Sequence, residues 1–150
     1  MQVSLRPATI EDSAAIARLV EELGYPVSSQ DMETRLAALI KEDRYLVIVA
    51  TDPGGDLLGL INAERRLTIE SGISFEITGL VVSSSARCAG VGGALVAAAE
   101  TWARSHGASM MRVRSNVLRP EAHSFYAGRG YDLLKTQHCY TKSLQTKPEV

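Results

Sequence analysis

Cysteine is scarce in this chain: Cys88 and Cys139 are the only two among 150 residues, far apart and without metal-ligand spacing around them. That fits a reduced cytosolic protein better than a secreted disulfide scaffold and gives no reason to expect a metal; two unrelated thiols are the expectation. No sign of charge dominates either, with 16 Lys and Arg against 17 Asp and Glu. Without a basic field, nucleic acid is not expected as a bulk electrostatic partner, and a small or locally charged ligand fits better. No apolar run approaches the roughly 18 residues of a membrane span, and the opening "MQVSLRPATIED" lacks the charged-then-apolar pattern of a signal peptide. The expectation is a cytoplasmic protein with no membrane partner. Repeats and low-complexity blocks are missing too, and the length suits one domain, 1–150, able to bury its own core.

What is present is a series of short elements punctuated by glycine and proline. Residues 2–6 read as a strand ended by Pro7, and Thr9 with Asp12 three positions on resembles a capping box that opens a helix. Ile10, Ala14, Ala17, Leu19, Val20 and Leu23 give that helix a broad apolar face, and Gly24 with Pro26 stops it. Ser28 or Ser29 can cap a second helix, carrying Met32, Leu36, Leu39 and Ile40 and ending near Asp43. "RYLVIVATD", the turn "DPGGD" and "LLGLINAERRLTI" form an antiparallel hairpin. "ISFEITGLVV" is the next strand, and Gly79 in its interior points to a bulge or a close backbone approach. A helix with Val91, Ala94, Leu95, Ala98 and Trp102 on one face ends at Gly107, followed by a strand, "SMMRVRS". Pro120 starts a short helix that Gly130 stops, and "YDLLKTQHCYTKSL" is expected to close with two more strands. This order predicts an α+β fold: a central mixed, mostly antiparallel twisted sheet of about six to seven strands, about four helices, and one crossover helix between residues 82 and 110.

The stretch "LVVSSSARCAGVGGAL" runs a strand through a glycine turn into a helix start, where free N–H groups converge on an anion. A P-loop would need Lys and Ser or Thr after its last glycine, but Ala94 and Leu95 follow Gly93. A dinucleotide fingerprint would need Gly or Ala where Leu95 stands, and no acid ends the next strand to take a ribose. What remains is Arg87-Cys88-Ala89-Gly90-Val91-Gly92, R-x-x-G-x-G directly after a β-rich strand. Downstream, Asn116 is followed by Ala122, Phe125 and Tyr126 in an A-x-x-F-Y helix and by the turn Gly130-Tyr131. In these two blocks the sequence resembles the GNAT superfamily of N-acetyltransferases, by motif over about residues 76–131 and by element order over the whole chain.

The resemblance implies a three-layer α/β/α fold and acetyl-CoA as co-substrate. Its pyrophosphate would lie on Arg87, Cys88, Ala89, Gly90, Val91, Gly92 and Gly93, and its pantetheine arm along Leu80, Val81 and Val82. The backbone N–H groups of this loop bind whatever their side chains, whereas Arg87 can add charge-assisted hydrogen bonds. Asn116 falls where the family uses an Asn to hold pantetheine or order the site, a turn-forming Asn being the other reading. His123 is expected only as a cofactor contact. Acetyl transfer needs a neutral amine, a stabilised oxyanion and a proton for the leaving thiolate. Tyr126 is the expected general acid, with a packed aromatic beside Phe125 as its alternative. Glu76 is the expected base, acting through water, with a solvated strand glutamate as its alternative.

The acceptor is expected to be a primary amine of a small molecule or peptide, attacking directly in a ternary complex. Tyr25 in "GYPVSSQ", flanked by Glu21, Glu22, Asp31 and Glu33, would favour a cationic amine, whereas Arg65 and Arg66 would favour a carboxylate. A binding module that keeps the acyl-CoA pocket without turnover, a sensor or scaffold, is the competing class. The apolar C-terminal strands offer edges for a homodimer.

Overall fold

The structure is a computed structural model, and it describes residues 2–87, 89–114 and 120–145. Its elements are β1 (Ser4–Pro7), α1 (Ser13–Glu21), α2 (Ser29–Ile40), β2 (Tyr45–Thr51), β3 (Leu57–Thr68), β4 (Gly72–Val82), α3 (Val91–Ser105), β5 (Arg112–Val113) and α4 (Pro120–Ala127). The chain divides into two compact units, Met1–Arg114 and Ser115–Val150. The first holds the sheet and three helices, and the second holds α4.

In the first unit the strands lie in the order β1-β2-β3-β4-β5, antiparallel except for the parallel pair β4 and β5 that α3 connects. The α1 entry is built as the capping pattern predicts: the Thr9 backbone N–H donates to Asp12 Oδ2 at 2.8 Å. Arg6 then grips both oxygens of the same buried carboxylate, each at 2.8 Å. Ser28 caps α2 by accepting from the Asp31 N–H at 3.0 Å. That helix ends at Ile40, short of Asp43, because the chain turns there to bring the Tyr45 N–H onto the Glu42 carbonyl at 3.1 Å.

Two apolar layers form on opposite faces of the sheet, because successive strand residues alternate sides. Ile16 and Leu19 of α1 and Met32 and Leu36 of α2 pack with Val49, Leu60 and Val81. On the other face α3 approaches so closely that a Cβ on Gly59 would lie 3.0 Å from the Val81 carbonyl oxygen and 3.1 Å from Leu95 Cδ1. Trp102 of α3 meets Phe75 of β4 edge to face at 5.4 Å. Helices, sheet and helix thus make the three layers expected.

The register of β3 on β4 slips between Asn62 and Ala63: Asn62 faces Gly79 and Ala63 faces Ile77, so Thr78 is an extra residue. This is the bulge that Gly79 predicts. The Asn62 amide donates to Thr78 Oγ1 at 2.6 Å, that hydroxyl donates to the Asn62 carbonyl at 3.2 Å, and a Cβ on Gly79 would collide with Asn62 Oδ1.

The sheet has five strands among the described residues, fewer than the six to seven expected. "SMMRVRS" contributes only Arg112 and Val113, and the two strands expected in "YDLLKTQHCYTKSL" are absent from residues 131–145. The reason is patterning: Leu133 and Leu134 adjoin, and Lys135 to His138 separate them from Tyr140, so neither parity offers a continuous apolar face. All three of these apolar side chains are exposed. In the second unit α4 stops as predicted, with Gly130 at φ +87° and the Tyr131 N–H on the Tyr126 carbonyl at 3.1 Å. Among the described residues no helix is long and apolar enough to cross a membrane.

Gly79→Ala should destabilise the protein by about 1–3 kcal/mol, because the new methyl must displace the Asn62 amide; a thermal melt checks this. The Arg6 hydrogen bonds hold Asp12 below the ordinary aspartate value. Their contribution is therefore full above the unfolded value of about 4 and is lost as pH falls through the lower folded value. The melting-temperature gap between the wild type and Arg6→Gln should be constant from about pH 5 to 7 and close at lower pH.

Candidate active site

The glycine turn owes its shape to handedness. Gly90 sits at φ +80° as the N-cap of α3, a conformation that L side chains disfavour, although nothing lies within 4 Å of where its Cβ would be. Ala94 is the residue whose N–H bonds back to the Gly90 carbonyl, at 3.1 Å. The N–H groups of Val91, Gly92 and Gly93 in the turn before it have no intrahelical acceptor, and the helix dipole adds partial positive charge there. Val91 and Gly93 are buried, which ties the loop to the core, while Arg87, Ala89 and Gly90 are exposed. Cys88 lies outside the described residues.

The strand feeding this loop has one open edge. Leu80, Val81 and Val82 face Ile61, Leu60 and Gly59 of β3 on one side. On the other side β5 pairs only with Glu76 and Ile77, so among the described residues no strand covers β4 from Thr78 to Val82. Backbone groups on such an edge need a partner, which water or a ligand can supply. The turn itself is braced from below: the Ser83 N–H donates to the Leu58 carbonyl at 2.8 Å and the Ser84 N–H to Glu22 Oε2 at 3.2 Å. Glu22 is thus partly engaged in structure rather than free to attract a cation. Glu21, Asp31, Glu33 and Tyr25 are exposed around the α1–α2 loop.

Two residues before the bulge lies Glu76, only 4% exposed. Arg114 Nε donates to its Oε1 at 3.0 Å and Arg66 Nη1 to its Oε2 at 3.2 Å, while Arg66 Nε lies 3.3 Å from Glu64 Oε1. The burial of this carboxylate is compensated by two guanidiniums, as an interior charge requires. Arg65 is exposed and, one residue away on β3, projects from the opposite face. Sequence reasoning singled out Glu76 and Arg66 separately but passed over Arg114; the signal available was the alternation in "RVR", which gives Arg112 and Arg114 one face.

In the second unit Tyr126 is half-buried and held edge to face between Phe125 at 5.2 Å and Tyr131 at 5.7 Å. Burial raises its phenol above the ordinary tyrosine value. The Arg129 guanidinium covers the Phe125 ring at 5.2 Å, and His123 is exposed on α4. Asn116 lies outside the described residues. Among the described residues no group of three or more His, Cys, Asp or Glu could hold a metal ion.

Residues 13–131 match the family model described as "Acetyltransferase (GNAT) family". The chain is similar to an aminoglycoside N(6')-acetyltransferase type 1 of Klebsiella aerogenes, 30% identical over 146 residues that cover 93% of this chain and 96% of that protein. It is also similar to an aminoalkylphosphonate N-acetyltransferase of Salmonella typhimurium, 31% identical over 143 residues, covering 93% of this chain and 90% of that one. Among solved structures, AAC(6')-Iy in complex with the bisubstrate analog CoA-S-monomethyl-acetylneamine superimposes with a TM-score of 0.84 at 17% identity, over 95% of this chain and 99% of that one. At that identity the likeness is one of fold.

Gly90→Ala should weaken acetyl-CoA binding by about 5- to 30-fold in a calorimetric titration, since a left-handed L-residue costs about 1–2 kcal/mol.

Proposed function

The chain belongs to the GNAT acetyltransferase family and is an acetyl-CoA-dependent N-acetyltransferase; we propose that its acceptor is a primary amine of a small molecule or peptide, attacking directly in a ternary complex. The observation that carries this reading is the edge of β4 from Thr78 to Val82, which no strand among the described residues covers and which the short turn Ser84–Ala86 and the helix start at Gly90 follow. A molecule with an anionic head and an amide-bearing arm fits both at once. Its pyrophosphate takes the N–H groups of residues 88–93, with Arg87 beside them. Its arm runs back along Val82, Val81 and Leu80 as an added strand would, making backbone hydrogen bonds. The thioester then lies near the Thr78 bulge, and Asn116 and His123 are proposed as further cofactor contacts.

The amine nitrogen attacks the thioester carbonyl carbon, forming the C–N bond and a tetrahedral oxyanion, which donors on the open β4 edge stabilise. Collapse breaks the C–S bond and expels the CoA thiolate, which takes a proton from Tyr126. A phenol near 10 donates to a thiolate near 8.5 only with help from the site. Burial keeps the Tyr126 phenol protonated across neutral pH, and the two flanking rings fix its direction. The amine proton leaves to water, with Glu76 proposed as the base that acts through it from a buried position where its oxygens also accept from Arg114 and Arg66.

The names of the relatives, an aminoglycoside and an aminoalkylphosphonate N-acetyltransferase, support a small-molecule amine. The exposed Leu133, Leu134, Tyr140 and Leu144 support a homodimer that covers them, and the scarcity of cysteine supports the cytoplasm.

Tyr126→Phe should lower turnover at least about tenfold while leaving acetyl-CoA affinity nearly intact, measured by thiol release and calorimetry. Unchanged turnover removes Tyr126 as the acid; cofactor binding by the wild type without transfer to any of a broad panel of amines favours the sensor instead.

A further inference from the structure

The charged cluster around Glu76 holds more groups than a proton relay needs, and its geometry suits a second task. Arg66 on β3 and Arg114 after β5 converge on one carboxylate from opposite sides. Arg112 is the register partner of Glu76 and so shares this face. Among the described residues of this group, Arg66, Arg112 and Arg114 outnumber the carboxylates of Glu64 and Glu76. Arg114 spends only its Nε on Glu76, and its side chain is 59% exposed. Among the described residues nothing engages its two terminal nitrogens, which form the planar fork that matches the oxygens of a carboxylate or phosphate. Fixing the guanidinium at Nε lowers the entropy a ligand must remove when it binds the fork.

The place matters as much as the charge. Glu76 precedes the bulge residue Thr78 by two positions on β4, about 7 Å along the strand. We infer that Arg114 and Arg66, oriented by Glu76, receive an oxyanion carried by the acceptor, so that the substrates are short amines bearing a carboxylate or phosphate a few bonds from the nitrogen. The inference rests on the transferase reading, with the thioester near the bulge. Arg114 and Arg66 are then specificity-determining residues, and Glu76 is a positioning residue that acts through them. The acids around the α1–α2 loop weigh less against this, since they are exposed to water and Glu22 already holds the Ser84 N–H.

The test is thiol release from acetyl-CoA by the full chain with matched acceptors: β-alanine against propylamine, O-phosphoethanolamine against ethanolamine, and putrescine as the cationic control. The wild type should use at least one acid-bearing amine with kcat/KM at least about tenfold above its neutral partner and above putrescine. A larger advantage for O-phosphoethanolamine assigns the oxyanion to phosphate, and for β-alanine to carboxylate. Arg114→Gln, an exposed substitution, should bring that ratio close to one, mainly through KM, and Arg114→Lys should restore part of it. Glu76→Gln should lower the same ratio, which loss of a purely structural contact would not do selectively. Preference for neutral amines or putrescine, or a ratio that Arg114→Gln leaves unchanged, overturns the inference while the transferase reading stands. Acetyl-CoA binding with no transfer to any amine overturns both.

Discussion

A strand can hold a ligand along its edge only where no other strand takes that edge, and among the described residues β4 meets this condition, because β5 pairs there only with Glu76 and Ile77. The proposed site depends on that parting. Had β5 continued beside Thr78 to Val82, the backbone groups there would be consumed by the sheet. The bulge at Thr78 falls where the pairing stops, and bulges sharpen the local twist of the strand that carries them. The crossover helix α3 completes the arrangement. It starts at the end of the open edge, and its own packing against Gly59 holds that start in place.

The buried carboxylates lie in closed groups. Asp12 is buried because Arg6 takes both its oxygens and the Thr9 N–H adds a third hydrogen bond. Glu76 is buried because two guanidiniums reach it from neighbouring strands. In each case removing one partner weakens the compensation of an interior charge, so the members are better regarded as one unit than as separate side chains. The two units differ in what they leave over. Arg6 is spent on Asp12 and on the Pro7 carbonyl, whereas among the described residues only the Nε of Arg114 is engaged.

Much of the fold was legible because it is written locally. The capping pattern at Thr9 and Asp12, the "DPGG" hairpin, the apolar period of α3 and the stops at Gly107 and Gly130 each depend on residues a few positions apart. Gly79 could be read as a bulge for the same reason, and the glycine turn and the aromatic helix of α4 carried the family resemblance. Strands 131–145 misled because β-forming residues were read without asking whether one parity could be buried. The partners of Glu76 were illegible for a different cause. Arg66 is 10 residues away and Arg114 is 38, and only the register of three strands brings them together.

Gly79 and Gly90 are both positions that favour glycine, but the two demands differ in kind. At Gly79 the obstacle is an atom, Asn62 Oδ1, and trimming that neighbour would make room. At Gly90 there is no obstacle to trim, since the space is open and the backbone is left-handed. A mirror-image D-alanine would sit there comfortably, and no second substitution elsewhere can supply that chirality. The fold can therefore drift around its bulge by paired changes, while the loop at the helix start is locked by the handedness of amino acids themselves.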